Sequence, residues 1–284
     1  MDNESTNTGS DPAPATPYPP SAGAEPPLKF TVATVTYNAA TQLARTIESV
    51  EQQTYAHVEH LIVDGNSQDG TMELVHHYQG RNSNAAVRHE VACLSEPDRG
   101  LYDAMNKAIE MATGDYILFL NAGDRFHADD TLARIAAQVG TSSPLPAVIY
   151  GDTDIVDAQG RFLRHRRLSP PRDGLTWRSF RRGMLVCHQA FFARTDLARL
   201  YPYDLNYRYS ADFDWCIRLM VDAARRKLPL QRVPLVVTDY LSEGLTTAHH
   251  RASLLERFHI MRRHYGLGLT LLEHVWFLVR AVVK

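Results

Sequence analysis

Apolar residues along this chain recur with two alternating periods. Phe30 to Tyr37, FTVATVTY, is a β-branched and aromatic run suited to a strand buried on both faces. TQLARTIESVEQQ (41–53) follows, with Leu43, Ile47 and Val50 at helical spacing. The alternation continues with a strand over 58–65, a helix over 70–78 and a strand over 87–96. Next comes a helix over 101–112, whose apolar face is Leu101, Met105, Ala108, Ile109 and Ala112. A strand over 115–120, a helix over 129–139 and a strand over 147–152 complete the series. Strands alternating with helices in this way predict βαβ units and an α/β fold with a mostly parallel central sheet flanked by helices.

After about residue 157 the rhythm changes. An arginine-rich stretch, a short strand (186–193), a helix (211–226), a strand (231–241) and a helical tail are expected there. Residues 1–27 stand outside the pattern altogether. They are rich in Pro, Ala, Ser and Thr, with five prolines between Pro12 and Pro20, and they lack the apolar segment of a secretory signal. They read as a disordered leader.

Composition narrows the function. A hydrophobic share of 44% and a charged share of 22% describe a soluble globular protein, and a formal charge of −2 disfavours a general nucleic-acid coat. Cys93, Cys187 and Cys216 form no Cys-x-x-Cys pair, so neither a zinc framework nor a disulfide scaffold is supported, and a reducing cytoplasm is the simplest setting. No apolar run reaches the roughly 18 residues of a spanning helix.

In open α/β sheets, ligands bind beyond the carboxyl ends of the strands. The segments following the apolar runs are Thr36-Tyr37-Asn38, Asp64 to Asp69, Glu96-Pro97-Asp98, Asn121-Ala122-Gly123-Asp124 and Asp152-Thr153-Asp154. Each alone reads as a turn or a helix cap. Together they crowd carboxylates on one edge, where they repel unless a cation or a donor-rich ligand lies between them. Mg²⁺ or Mn²⁺ with a phosphate ligand suits such oxygens. Neither a Gly-x-Gly-x-x-Gly fingerprint nor a P-loop is present, which disfavours dinucleotide oxidoreductases and P-loop enzymes.

TVTYNAATQLARTIESVEQQTY, EHLIVDGNSQDGT and SEPDRGLYDAMNKAIEMATGDYILFLNAGD, in that order and with YGD and CHQAFF later, resemble glycosyltransferase family 2. The resemblance covers about residues 29–240 and is nearest to bacterial enzymes that build exopolysaccharides or glycolipids. It implies the GT-A fold and inverting transfer from a UDP-, GDP- or dTDP-linked sugar to an acceptor hydroxyl. The donor half would span 28–157, the acceptor half 158–250, and an amphipathic helical tail 251–284.

The resemblance also implies roles for particular residues. Thr36, Tyr37, Asn38 and Asp64 would contact the nucleoside, and Asp98, Arg99, Asp103, Asn106 and Lys107 would cross over the nucleotide. Asp103, Asn106 and Lys107 share a helix face by spacing, and an internal Asp103–Lys107 pair is the alternative use of that face. Asn121 to Asp124 takes the place of the family's metal-binding Asp-x-Asp or Asp-x-Asp-Asp and departs from it at the first position. Asn121 would then offer a neutral oxygen, and Asp124 the anionic metal ligand.

YRYSADFDWCIRLM (207–220) resembles the family's Glu-Asp motif, with Ala211 in place of the Glu. Helical spacing does not choose between Asp212 and Asp214; motif position selects Asp212 as general base. His188, Gln189, Asp214 and Trp177 are candidates for the acceptor side. Eight arginines and a single acid, Asp173, lie between Arg161 and Arg182, which suits a phosphate on a lipid-linked acceptor or an anionic bilayer.

The C-terminal tail reads as an interfacial helix, a helix packed on the domain, or a contact with a second subunit. Two other classes compete with the transferase reading. A sugar-1-phosphate nucleotidylyltransferase would need a Gly-rich loop with Thr-Arg after the first strand, which is absent. A non-catalytic nucleotide-sugar binding module accords with Asn121 and Ala211 but not with Asp212.

Overall fold

The β-branched run beginning at Phe30 forms β1 (Phe30–Thr36), buried at every position, and β2 (Val58–Asp64) pairs with it in parallel along its whole length. A computed structural model describes residues 27–140, 142–242 and 250–282; the leader expected over 1–27 lies almost wholly outside the described residues. β3 (Glu90–Ser95) extends the parallel set beside β2, and β4 (Tyr116–Phe119) extends it beside β1. The connecting helices are α1 (Ala40–Glu51), α2 (Thr71–Asn82) and α3 (Leu101–Met111). α1 buries Leu43, Ile47 and Val50, as their spacing predicted, and α3 buries Met105, Ala108 and Ile109.

Beyond β4 the sheet becomes mixed. β5 (Arg125–Phe126) and α4 (Thr131–Val139) precede β6 (Val148–Val156), β7 (Phe162–His165), β8 (Phe191–Arg194), α5 (Thr195–Leu200), α6 (Ala211–Arg226) and β9 (Leu230–Leu241). The strand order is β3-β2-β1-β4-β8-β6-β9-β5, with β7 on β6. β8 is antiparallel to both β4 and β6, and only the β6–β9 pair is parallel in this half. The predicted parallel arrangement therefore holds for the first four strands alone. One sheet joins the expected donor and acceptor halves.

Two expectations are corrected here. β6 continues to Val156, so Asp152 and Asp154 lie inside a strand and not at its end. His188 to Ala190 form a short 3-10 turn, and the strand expected from 186 begins only at Phe191.

Alternation along β1 sends Ala33 and Val35 into a core with α3 and α6, while Phe30 and Val32 enter a second core with α4. Each fully buried side chain of this size contributes about 1.5–3 kcal/mol. α6 enters the first core through Phe213, Trp215, Ile217 and Met220, and this fixes its first turn against α3. α7 (His250–Tyr265) fastens that turn from outside. The Glu256 carboxylate accepts the backbone N–H groups of Arg208, Tyr209 and Ser210 at 2.8–2.9 Å. α8 (Leu267–Val282) follows, and its Glu273 pairs with Arg181 at 2.9 Å.

Candidate active site

The parallel register brings four strand ends to one edge, with Thr36 opposite Asp64 and Asp64 opposite Ser95. Asn38 adopts a left-handed backbone (φ 49°); its amide donates to Ser67 Oγ, and its side-chain oxygen accepts from the Gln68 amide. This clasp leaves the Tyr37 ring 65% exposed over the edge. A Cβ on Gly65 would meet Asp98 Oδ2 at 2.7 Å and Tyr37 Cδ2 at 3.2 Å, so Tyr37 and Asp98 close over bare backbone. Asp64 itself is fully buried, accepting from Ser67 N, Ser67 Oγ and Ser95 Oγ. It shapes the loop from below and does not face the opening.

At the start of α3 the expected single polar face is divided among three neighbours. Asp103 accepts from the Arg99 amide and guanidinium, and the Arg99 hydrogen bond holds its carboxyl below the usual range. Asn106 exchanges two hydrogen bonds with the Tyr203 backbone. Lys107 pairs with Glu96 at 2.8 Å and donates to the Pro97 carbonyl. The alternative Asp103–Lys107 pair is not formed. Arg99, with its side chain 77% exposed, is the cation left reaching outward.

Asn121 to Asp124 is a tight turn closed by the Asp124 amide on the Asn121 carbonyl (3.0 Å), with Gly123 at φ 101°. That conformation favours glycine, and a Cβ at Gly123 would also meet Leu241 Cδ2 at 2.9 Å. Thr46 of α1 binds the turn, accepting from the Gly123 amide and donating to the Asp124 carbonyl. The Asp124 carboxylate is only 4% exposed, accepting from Gln189 Nε2 at 3.0 Å and the Leu241 amide at 2.9 Å. Burial pushes its pKa up to about 7. Asn121 Oδ1 in this turn and Thr36 Oγ1 at the end of β1 are buried oxygens with no hydrogen-bond partner among the described residues. Each retains acceptor capacity that a donor or cation could use.

Across the edge, α6 presents two acids with opposite fates. Asp214 has no exposure and accepts from Arg218 (2.6 Å) and His264 (2.7 Å). Burial raises its carboxyl, but those two partners outweigh it and hold the pKa low. Asp212 is half-buried and accepts a hydrogen bond from the Tyr102 hydroxyl at 3.1 Å. Burial, reinforced by the Asp212 charge, raises the Tyr102 phenol well above its ordinary value, so it stays a donor.

The arrangement therefore has an exposed aromatic wall with Asp98 beside it, an exposed arginine, a buried acidic turn and, on α6, the accessible carboxylate of Asp212. The description "Glycosyl transferase family 2" belongs to a family model that matches residues 31–200. A PGL/p-HBAD biosynthesis glycosyltransferase of Mycobacterium bovis is 33% identical over 220 residues, 76% of this chain and 77% of that one. This chain belongs to glycosyltransferase family 2. It is, by that membership, a glycosyltransferase.

Two solved structures share its fold. Staphylococcus aureus TarS 1–349, in complex with UDP-GlcNAc, gives a TM-score of 0.65 at 18% identity, covering 87% of this chain and 66% of that one. The mannosyltransferase PcManGT from Pyrobaculum calidifontis, with GDP-Man and Mn²⁺, gives 0.59 at 19%, covering 84% and 65%. This chain thus spans about two thirds of each solved relative. The shared fold is GT-A.

Do the residues of this glycosyltransferase fit a divalent ion? The turn offers the unpartnered Asn121 Oδ1 as a neutral hard oxygen and Asp124 as an anionic one. Gln189 and Leu241 occupy part of the Asp124 lone-pair capacity, and a carboxylate can accept more. A dication beside it would also offset the burial that raises its pKa. The pair fits one oxygen-preferring ion such as Mg²⁺ or Mn²⁺. Gly123 stands where a four-residue Asp-x-Asp-Asp pattern has its second carboxylate, so the set is leaner than two acids. A separate set, His127, Asp154 and Asp239, places ligand atoms within 4.8 Å of one another across β5, β6 and β9, and could also hold a cation.

The four acceptor-side candidates find other uses. His188 is buried, kept neutral by burial, stacked on Phe119 and hydrogen-bonded to the Tyr203 hydroxyl at 2.6 Å. Gln189 is buried and holds Asp124. Asp214 anchors α7 through His264. Trp177 stacks on Tyr265 at 5.7 Å and lines a cavity with Met220 and Ala224, the later half of α6, away from Asp212. Each of the four has an internal partner, and Trp177 alone among them stays half-exposed. Sequence reasoning missed Thr46, Tyr102 and Glu256. Tyr102 and Thr46 lie inside quoted motifs, yet their partners are 110 and 78 residues away.

Proposed function

We propose that the protein is an inverting glycosyltransferase moving a sugar from a nucleotide-diphospho-sugar, UDP-, GDP- or dTDP-linked, to a hydroxyl of a cell-envelope, exopolysaccharide or glycolipid acceptor. The observation that carries this reading is the contrast in the first turn of α6. Asp214 is sealed and neutralised, whereas Asp212 keeps an accessible carboxylate oriented by Tyr102. The relatives support it: a glycosyltransferase of PGL/p-HBAD biosynthesis, and fold neighbours in complex with UDP-GlcNAc and with GDP-Man.

In this reading the base stacks on or beside Tyr37, and the Gly65–Asp98 backbone cradle and Asn38 loop receive the nucleoside. Thr36 Oγ1 and Asn121 Oδ1 complete hydrogen bonds they lack alone. Arg99 offsets diphosphate charge. Asp64, Asp103, Asn106 and Lys107 act as positioning residues, since their polar atoms are engaged within the chain. Asp124 and Asn121 are the residues that would hold a divalent ion, which would supply charge neutralisation for a departing diphosphate. Gln189 and the Leu241 amide fix the Asp124 carboxylate in place.

Asp212 takes the proton of the acceptor hydroxyl as that oxygen attacks C1 of the sugar from the face opposite the leaving diphosphate. One bond forms and one breaks at C1, so configuration inverts. Tyr102 keeps its own proton and aims the carboxylate. The three free thiols accord with a cytoplasmic setting.

The Asp212→Asn variant tests the assignment. Transfer should fall by roughly 10²–10⁴-fold, the usual contribution of a general base, while donor binding measured by calorimetry is retained. Near-normal turnover would remove Asp212 from the mechanism.

A further inference from the structure

α8 packs one side on the protein and leaves the other bare. Thr270, Glu273 in its ion pair with Arg181, and the half-buried Phe277, which packs on the first core, face inward. Its opposite side carries Leu267, Leu271, Leu272, Val275, Trp276 and Val279, each exposed to between 47% and 68%. These positions recur at i, i+4, i+5, i+8, i+9 and i+12, forming one stripe along the helix. Sixteen residues make it about 24 Å long. A stripe of this kind, turned to solvent, marks a surface that something apolar covers.

The rim of the stripe identifies the covering. Where α7 meets α8, Tyr265 stacks on Trp177, and the Arg178 guanidinium lies 4.7 Å from that indole's centre. Arg178, Arg182 and Arg262 are exposed on the segments that meet here, and Arg263, also exposed, pairs with Asp204 at 3.3 Å. A second copy is the competing occupant, and the test below separates it from a bilayer. An anionic lipid surface would meet these cations with opposite charge. Among the described residues no helix is long and apolar enough to cross a membrane, so the stripe would lie along the interface.

We propose that α8 is an interfacial anchor that lays this protein on an anionic bilayer, with the apolar stripe in the headgroup boundary and the arginine corner on the phosphates. A consequence follows that rests on the function proposed above. α7 ties this anchor to the first turn of α6 through Glu256 and to Asp214 through His264. The general base and the anchor thus share one rigid unit, which suits an acceptor hydroxyl carried by a lipid.

Flotation of the full chain with phosphatidylglycerol–phosphatidylcholine vesicles tests the anchor. The chain should float with them, bind phosphatidylcholine vesicles far less, and release as salt rises and screens the arginines. The double variant Leu272→Glu, Trp276→Glu should lose at least about tenfold in vesicle affinity. Both side chains are exposed, so its melting temperature and its nucleotide-sugar binding in solution should match those of the parent.

No vesicle binding by the parent, or equal binding by the double variant, would overturn the anchor. A parent that sediments as a dimer and is made monomeric by the variant, without vesicle affinity, would assign the stripe to a second copy instead. Donor binding is read separately, so its loss would speak against the transferase reading and leave the anchor untouched.

Discussion

Burial raises the Asp124 carboxyl to about 7, well above the roughly 3.9 of an exposed aspartate. Between those values the folded chain binds more protons than the unfolded one. Stability from this group is therefore complete below about pH 4 and is lost as pH rises through 7. His60, His89 and His188, whose pKa values burial lowers, add stability as pH rises and do so alike in parent and variant. In metal-free buffer the parent should therefore lose melting temperature relative to Asp124→Asn as pH rises from 5 to 8. Added Mn²⁺ should raise the melting temperature more at pH 8 than at pH 6, because the ion binds the ionised carboxylate. A parent–variant difference that stays constant from pH 5 to pH 8 would contradict the burial reading. The motif pointed to Asp124, yet nothing nearby in sequence revealed its burial, which depends on Gln189 and on Leu241, 117 residues away. Asp212 and Asp214 were likewise inseparable by spacing, and His264 decides between them.

At the scale of elements, the alternation of strands and helices was readable from β1 through α4 because each apolar run is long enough to show its period. β5, with two residues, β7, exposed throughout, and α5, with six, are too short or too polar to do so. The extent of β6 was missed because its second half carries Asp152 and Asp154, whose charges are answered by Arg232 and His165. α6 was predicted with its full bounds, but the device that holds its first turn was not. Glu256→Ala removes the carboxylate that accepts three backbone N–H groups there. Denaturant unfolding should show a loss of about 2–4 kcal/mol. Turnover should fall with it as Asp212 loses its fixed position, while donor affinity is retained. A variant as stable as the parent would mean that water replaces the carboxylate without penalty.

At the scale of the molecule, family and fold were legible because motifs at the ends of successive strands stand in the order that the parallel register requires. The edge they form is real: β1, β2 and β3 end in register, and β4 ends three residues earlier, opposite Ala33, just before the turn of Asn121 to Asp124. The surroundings of the proposed acceptor candidates were not legible, because His188, Gln189, Asp214 and Trp177 each meet partners that lie far away in sequence. The central claim is that this edge binds a nucleotide sugar and activates it for transfer. The most direct measurement is release of free nucleoside diphosphate from a panel of UDP-, GDP- and dTDP-linked sugars with Mg²⁺ or Mn²⁺. Turnover of one donor above the protein-free rate, suppressed by Asp212→Asn, is the result expected. Neither binding nor turnover of any donor across the panel would contradict the account.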